Sequence, residues 1–242
     1  MKWLGNFEFE SHDTDFQEVV KISSVVEYMQ EAARRHLEVC GPTAKQMKQN
    51  GTAFILSRTT IANYTPLYAD SKVLVETWAC YSHGLSLPRC TKMYHDDKIV
   101  AEMSTVWAVV DVNTHRFVRM GETLDKIAEN DVLTLDVSPR FKLPADVGLS
   151  LVGEHNVGYS LCDTNKHMNN VRYIDMFSDF IPGGLEGSRI INVDIAYLNE
   201  APMNDVLKIY VSKEVDDGKF YFRAVRSDTK VCAEAEFIID RI

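Results

Sequence analysis

The 242-residue chain has no apolar run approaching the roughly 18 to 20 uninterrupted residues that cross a bilayer, so no helical membrane span is expected. It also lacks a C-x-x-C pair. Its five cysteines, at positions 40, 80, 90, 162 and 232, are odd in number, which argues against a disulfide framework or a zinc site and for reduced thiols. Positive charge is in deficit, with 26 Lys and Arg against 35 Asp and Glu and a formal charge of -9. A phosphate-binding surface normally shows as a basic excess, so nonspecific nucleic-acid binding is not expected. His36, His83 and His115 have no ligand-like spacing, and neither a metal nor a cofactor is expected. The opening Met1-Lys2-Trp3-Leu4-Gly5-Asn6 leads at once into acidic, alternating residues, with no apolar or Arg/Ser-rich leader. A cytoplasmic protein is the expectation.

What is present is a plan stated twice. Residues 6 to 21 read as extended, and Ser24 and Glu27 have the spacing of a capping box opening a helix that runs to about Cys40. Val25, Met29, Ala32, Ala33, Leu37 and Cys40 recur at near-helical spacing, and Gly41-Pro42 supplies the stop. Strands follow at roughly 53 to 63, 72 to 83, 86 to 95 and 98 to 112, the alternation of Val73, Val75, Thr77 and Ala79 suiting a half-buried antiparallel sheet. A polar connector with Pro139 and Pro144 then precedes a second round: a strand, a helix near 169 to 182, and strands near 189 to 198, 205 to 214, 219 to 227 and 231 to 239. Asp216-Asp217-Gly218 marks a hairpin turn. The expected domains are 1–119 and 151–242, joined by 120–150.

The most informative segment is Cys162 to Tyr173, CDTNKHMNNVRY. Asp163, Asn165 and His167 alternate, and in extended chain such residues point the same way, so a carboxylate, an amide and an imidazole would line one wall. Cys162 would then face away, an unused thiol. Asn169 and Asn170 lead into the apolar run Val171, Tyr173, Ile174, Met176, Phe177 and Phe180, a helix stopped at Pro182-Gly183-Gly184. Spacing alone would equally suit Asp and Asn as ordinary helix caps. Glu200, 33 residues beyond His167, could return a second carboxylate to the same wall.

These residues resemble the acyl-acyl-carrier-protein (acyl-ACP) thioesterases. In the first half the likeness rests on Ser24 through Ala33, Ser57-Arg58, Tyr64-Thr65-Pro66, Asp70, Val75-Glu76-Thr77-Trp78, Arg89 and Ser104-Thr105-Val106-Trp107. In the second half it rests on Asp163-x-Asn165-x-His167-x-Asn169-Asn170-x-x-Tyr173 and on Tyr197 to Glu200. The resemblance implies an α+β chain of two tandem hot-dog domains, each a long helix wrapped by a curved antiparallel sheet. It implies a catalytic set of Asp163, Asn165, His167 and Glu200, with acyl carrier protein bearing a fatty acyl chain as partner. Many plant members have cysteine after that glutamate; here it is Ala201. Relatives suggest a homodimer, although two fused hot dogs could suffice as a monomer.

Matching Val26-Glu27-Tyr28-Met29 to Val171-Arg172-Tyr173-Ile174 sets Glu18, Val20 and Ile22 against Asp163, Asn165 and His167, and matching Tyr64 to Tyr197 sets Leu67 against Glu200. One half would then react and the other shelter the acyl chain. Thioester hydrolysis needs an activated water and donors for the tetrahedral oxygen, which Glu200 or Asp163 and the backbone N–H groups at a helix entrance could supply. An acyl-CoA thioesterase and a noncatalytic acyl-binding protein are the competing readings. Arg34, Arg35, Lys45 and Lys48 form a candidate docking cluster for an acidic carrier.

Overall fold

The structure, a computed structural model, describes residues 1–135 and 140–241; Pro139 lies outside them. The chain divides into two units, Met1–Val137 and Ser138–Ile242. Among the described residues no helix is long and apolar enough to cross a membrane.

The first unit holds β1 (Trp3–Glu8), α1 (Ile22–Cys40), α2 (Ala44–Gln49), β2 (Thr52–Asn63), β3 (Lys72–Ala79), β4 (Leu87–His95), β5 (Lys98–Asp111), the two-residue β6 (Phe117–Val118) and α3 (Gly121–Leu124). Its strands pair antiparallel in the order β1-β3-β4-β5-β2, with β6 on β5. Val73, Val75, Thr77 and Ala79 are all buried, as their alternation predicts. The β4–β5 hairpin turns at Asp96 and Asp97, both at positive φ, conformations that Asp tolerates better than most side chains. Val25, Val26, Met29 and Ala32 form the fully buried stripe of α1, and Gly41, at φ 71°, ends the helix by donating its N–H to Leu37 O at 2.7 Å.

Two local expectations fail here. Only Trp3–Glu8 of the first twenty-one residues forms a strand; Ser11–Asp13 is a 3-10 turn and the chain folds back on itself between Thr14 and Val20. The capping box does not form either, because α1 begins two residues before Ser24. The Ser24 hydroxyl donates instead to Asp13 O at 3.1 Å, tying helix to turn. The segment beyond α3 is anchored on this unit: Trp78 Nε1 donates to Asp131 O, and the fully buried Glu102 carboxylate accepts from the backbone N–H groups of Thr134 and Leu135.

The second unit holds β7 (Leu149–Asn156), α4 (Arg172–Asp179), β8 (Ser188–Tyr197), β9 (Val206–Ser212), β10 (Lys219–Val225) and β11 (Val231–Arg241). Its antiparallel order, β7-β9-β10-β11-β8, repeats that of the first unit strand for strand. The helix is much shorter than expected, 8 residues against 19 in α1. It compensates with aromatic volume: Phe177 packs on Phe222 at 5.1 Å and Phe237 at 6.1 Å, and all three are fully buried.

Candidate active site

Asp163, Asn165 and His167 stand together, but not on an extended strand. Asp163 to His167 is a tight reversal: Lys166 N donates to Asp163 O at 3.0 Å, Asp163 N donates to His167 O at 2.8 Å, and Lys166 takes the left-handed conformation at φ 63°. Asp163 and His167 therefore face each other across a turn, with Cys162 and Met168 bridged behind them. The alternation that suggested one flat wall belongs to a loop in which side-chain chemistry overrides β geometry. Asp163 accepts from the N–H of Asn165 at 2.8 Å and of His167 at 3.3 Å, the aspartate-stabilised turn that its short carboxylate is built for. Asn165 Nδ2 reaches the other Asp163 oxygen at 3.3 Å.

Glu200 joins them through a second strip of backbone. Met168 N donates to Ala201 O at 2.8 Å, Met203 N donates to Lys166 O at 2.9 Å, and His167 bridges Pro202. This pairing brings the Glu200 Oε2 to 3.3 Å from His167 Nδ1. The carboxylate is 67% exposed and the imidazole 31%, so both are open to water and substrate. The Cys162 thiol is turned to the backbone, donating to Gly158 O at 3.3 Å.

The helix entrance is not available as a set of anion donors. Val171 N is bonded to Asn169 Oδ1, Arg172 N to Asn169 O and Tyr173 N to Asn170 O. Asn169 is thus the local cap, and the Asn170 carbonyl also accepts from the Tyr197 hydroxyl at 3.1 Å. Among the described residues no cluster suited to a metal ion is present.

The duplicated fold corrects the internal alignment. In the first unit the same reversal runs from Asp15 to Val19: Gln17 N and Val19 N donate to Asp15 Oδ1, Asp15 N donates to Val19 O, and Glu18 sits at φ 64°. The counterparts of Asp163, Asn165 and His167 are therefore Asp15, Gln17 and Val19, three residues before the positions set by an ungapped match of helices. Val20 N donates to Leu67 O as Met168 N does to Ala201 O, so the counterpart of Glu200 is Pro66, not Leu67. The turn-forming aspartate is kept, while the imidazole and the carboxylate are absent. The echo T-D-x-Q against C-D-x-N was readable in the sequence; helix matching overlooked it because the two helices differ in length and start.

A helix-and-antiparallel-sheet unit doubled in one chain, with an imidazole and a carboxylate beside the polar turn of one copy only, is a double hot-dog architecture. Two family models cover most of the chain: the acyl-ACP thioesterase N-terminal domain over residues 1–128 and its C-terminal domain over 145–238. The chain belongs to the acyl-ACP thioesterase family, thioester hydrolases that release free fatty acid from acyl-ACP. It is 22% identical to the oleoyl-acyl carrier protein thioesterase of Coriandrum sativum over 98% of this chain and 69% of that protein. It is 22% identical to a palmitoyl-acyl carrier protein thioesterase of Arabidopsis thaliana over 84% of this chain, spanning 53% of that relative's length. Among solved structures, the acyl-ACP thioesterase from Bacteroides thetaiotaomicron matches with a TM-score of 0.89 at 22% identity, covering 99% of this chain and 98% of the other. The 12:0-ACP thioesterase of Umbellularia californica matches with a TM-score of 0.84 at 17% identity, covering 100% and 98%.

Proposed function

We propose that this chain hydrolyses fatty acyl-ACP with Glu200 activating water and His167 orienting it, the reaction taking place in the second unit alone. The observation that carries the reading is the His167–Glu200 contact at 3.3 Å, present in one unit and replaced by Val19 and Pro66 in the other. A thiolate leaves readily, so making a nucleophile is the main task, and a positioned carboxylate meets it by general-base catalysis. Asp163 is assigned to holding the turn, since its carboxylate is already engaged by two backbone N–H groups. Asn165 Nδ2, bonded only at 3.3 Å, is the donor assigned to the tetrahedral oxygen.

The first unit is assigned to the acyl chain. What supports this is an apolar helix face opposite buried sheet residues, with no imidazole or carboxylate at the positions equivalent to His167 and Glu200. The partner is acyl carrier protein, and a cytoplasmic location is part of the same proposal, supported by five free thiols. The test is hydrolysis of matched acyl-ACP and acyl-CoA. Turnover favouring acyl-ACP supports the reading, a preference for acyl-CoA replaces the substrate, and tight binding without turnover replaces the reaction.

A further inference from the structure

Glu200 is a mostly exposed side chain on an irregular loop, yet the reading above needs its carboxylate held beside His167. Its own packing does not do this. The neighbouring backbone is gripped instead: Arg226 Nη1 donates to Glu200 O at 2.9 Å, and the Cys232 thiol approaches the same oxygen at 3.8 Å. Arg226 is held in turn, because its Nε donates to Asp205 Oδ2 at 3.1 Å, and the Asp205 side chain is 7% exposed. Asp205 Oδ1 accepts from its neighbour's N–H, Val206, at 2.8 Å, so the anchor is fixed at the first residue of β9. Arg226 N donates to Lys230 O at 2.9 Å, which places the arginine at the base of the β10–β11 turn. One guanidinium thus ties three places together: the hairpin base, the start of β9 and the loop carrying Glu200.

The first unit supplies a built-in control. Asn204 N and Asp205 O bond Val157 as Asp70 N and Ser71 O bond Phe9, so Ser71 stands where Asp205 does. Val225 pairs Val231 as Tyr94 pairs Ile99, and the residue that follows is Arg226, just past β10, in one unit and His95, the last of β4, in the other. His95 Nδ1 lies 2.8 Å from Lys72 O, so it too joins the hairpin base to the start of the neighbouring strand, but through a backbone carbonyl, with Ser71 in place of the aspartate. The arginine–aspartate pair therefore occurs in the unit that has Glu200 and His167, and not in the unit that has Pro66 and Val19.

We propose that Arg226, anchored by Asp205, is a positioning residue that holds the Glu200 backbone so that its carboxylate meets His167. The proposal rests on the reading of Glu200 given above. A lysine cannot replace the arginine, because a single ammonium lacks the fork that spans an aspartate and a carbonyl at once.

The experiment is a double-mutant cycle of Arg226→Lys with Glu200→Gln, followed by single-turnover hydrolysis of acyl-ACP and by thermal melting. Arg226→Lys is expected to lower the rate about 10- to 100-fold, the scale on which a small misplacement acts, with KM changed little. In the Glu200→Gln background the same change should cost nothing further, since it acts through a group already disabled. Asp205→Asn should behave like Arg226→Lys, and serves where the lysine variant folds poorly. A full additional loss in the Glu200→Gln background would overturn the proposal, because Arg226 would then support the site at large. Wild-type rates in folded Arg226→Lys and Asp205→Asn, alongside a disabled Glu200→Gln, would overturn it while leaving Glu200 in place. Near-normal rates in Glu200→Gln would remove the reading of Glu200 and this proposal together.

Discussion

His36 makes the stability of this protein depend on pH in a way that can be isolated. The imidazole is fully buried on α1, with Nδ1 2.9 Å from the Nη1 of Arg89, itself 6% exposed. Arginine can only donate, so Nδ1 accepts and His36 is neutral with its proton on Nε2. Burial, and then the adjoining guanidinium, push its pKa down to about 4 from an ordinary 6.5. Between those values the unfolded chain binds a proton that the native state refuses. The contribution is therefore complete above pH 6.5 and is lost as pH falls toward 4. At about 1.4 kcal/mol per unit the loss amounts to about 3 kcal/mol, a large share of a typical folding free energy. Urea denaturation of the wild type and of His36→Asn, whose side-chain oxygen can accept near the place of Nδ1, should be compared from pH 7 to 4.5. The variant is expected to start less stable, because it leaves a cavity, but to lose about 2 to 3 kcal/mol less on acidification. Parallel pH profiles would refute the argument.

Four further outcomes follow from the geometry. Cys162→Ser should keep most activity, since the thiol bonds only Gly158 O; a folded but inactive variant in the hydrolysis assay would show the thiol to be used. Asp163→Ala removes the acceptor for two backbone N–H groups and should destabilise the turn by about 1 to 3 kcal/mol with a severe loss of turnover, while Asp163→Asn, which keeps an acceptor, should lose less. Equal losses in the two would assign Asp163 a charge-dependent part in the reaction. Charge reversal at Lys45 and Lys48 should raise KM for acyl-ACP, less so at high salt, and leave a small thioester nearly unaffected. Reversal at Arg34 and Arg35 should matter less, because both are paired to Glu31, whose carboxyl the Arg34 hydrogen bond holds at about 2 against its partial burial, with help from Arg35.

Long-range organisation was legible in the sequence because it rests on periodicity. Alternation in β3, the apolar stripe of α1 and the hairpin turn at Asp216-Asp217-Gly218 each report a local rule, and eight strands were placed within a few residues of where they lie. The polar loops were misread for the converse reason. Asp163-x-Asn165-x-His167 has the period of a strand, but an aspartate bonding the N–H groups two and four residues on competes with extension and wins. The same competition at Asp15 hid the repeat of the turn in the first unit. Arg226 and Asp205 left no local trace, since their meaning lies in a contact 26 residues from Glu200 that only the hairpin creates.

The measurement that bears most directly on the whole account is single-turnover hydrolysis of a fatty acyl-ACP by purified His167→Ala and Glu200→Ala, with melting curves to establish that each is folded. The account predicts losses of roughly two to four orders of magnitude in both, with melting little changed, the scale of a lost acid–base participant. Near-normal hydrolysis by folded Glu200→Ala would contradict it.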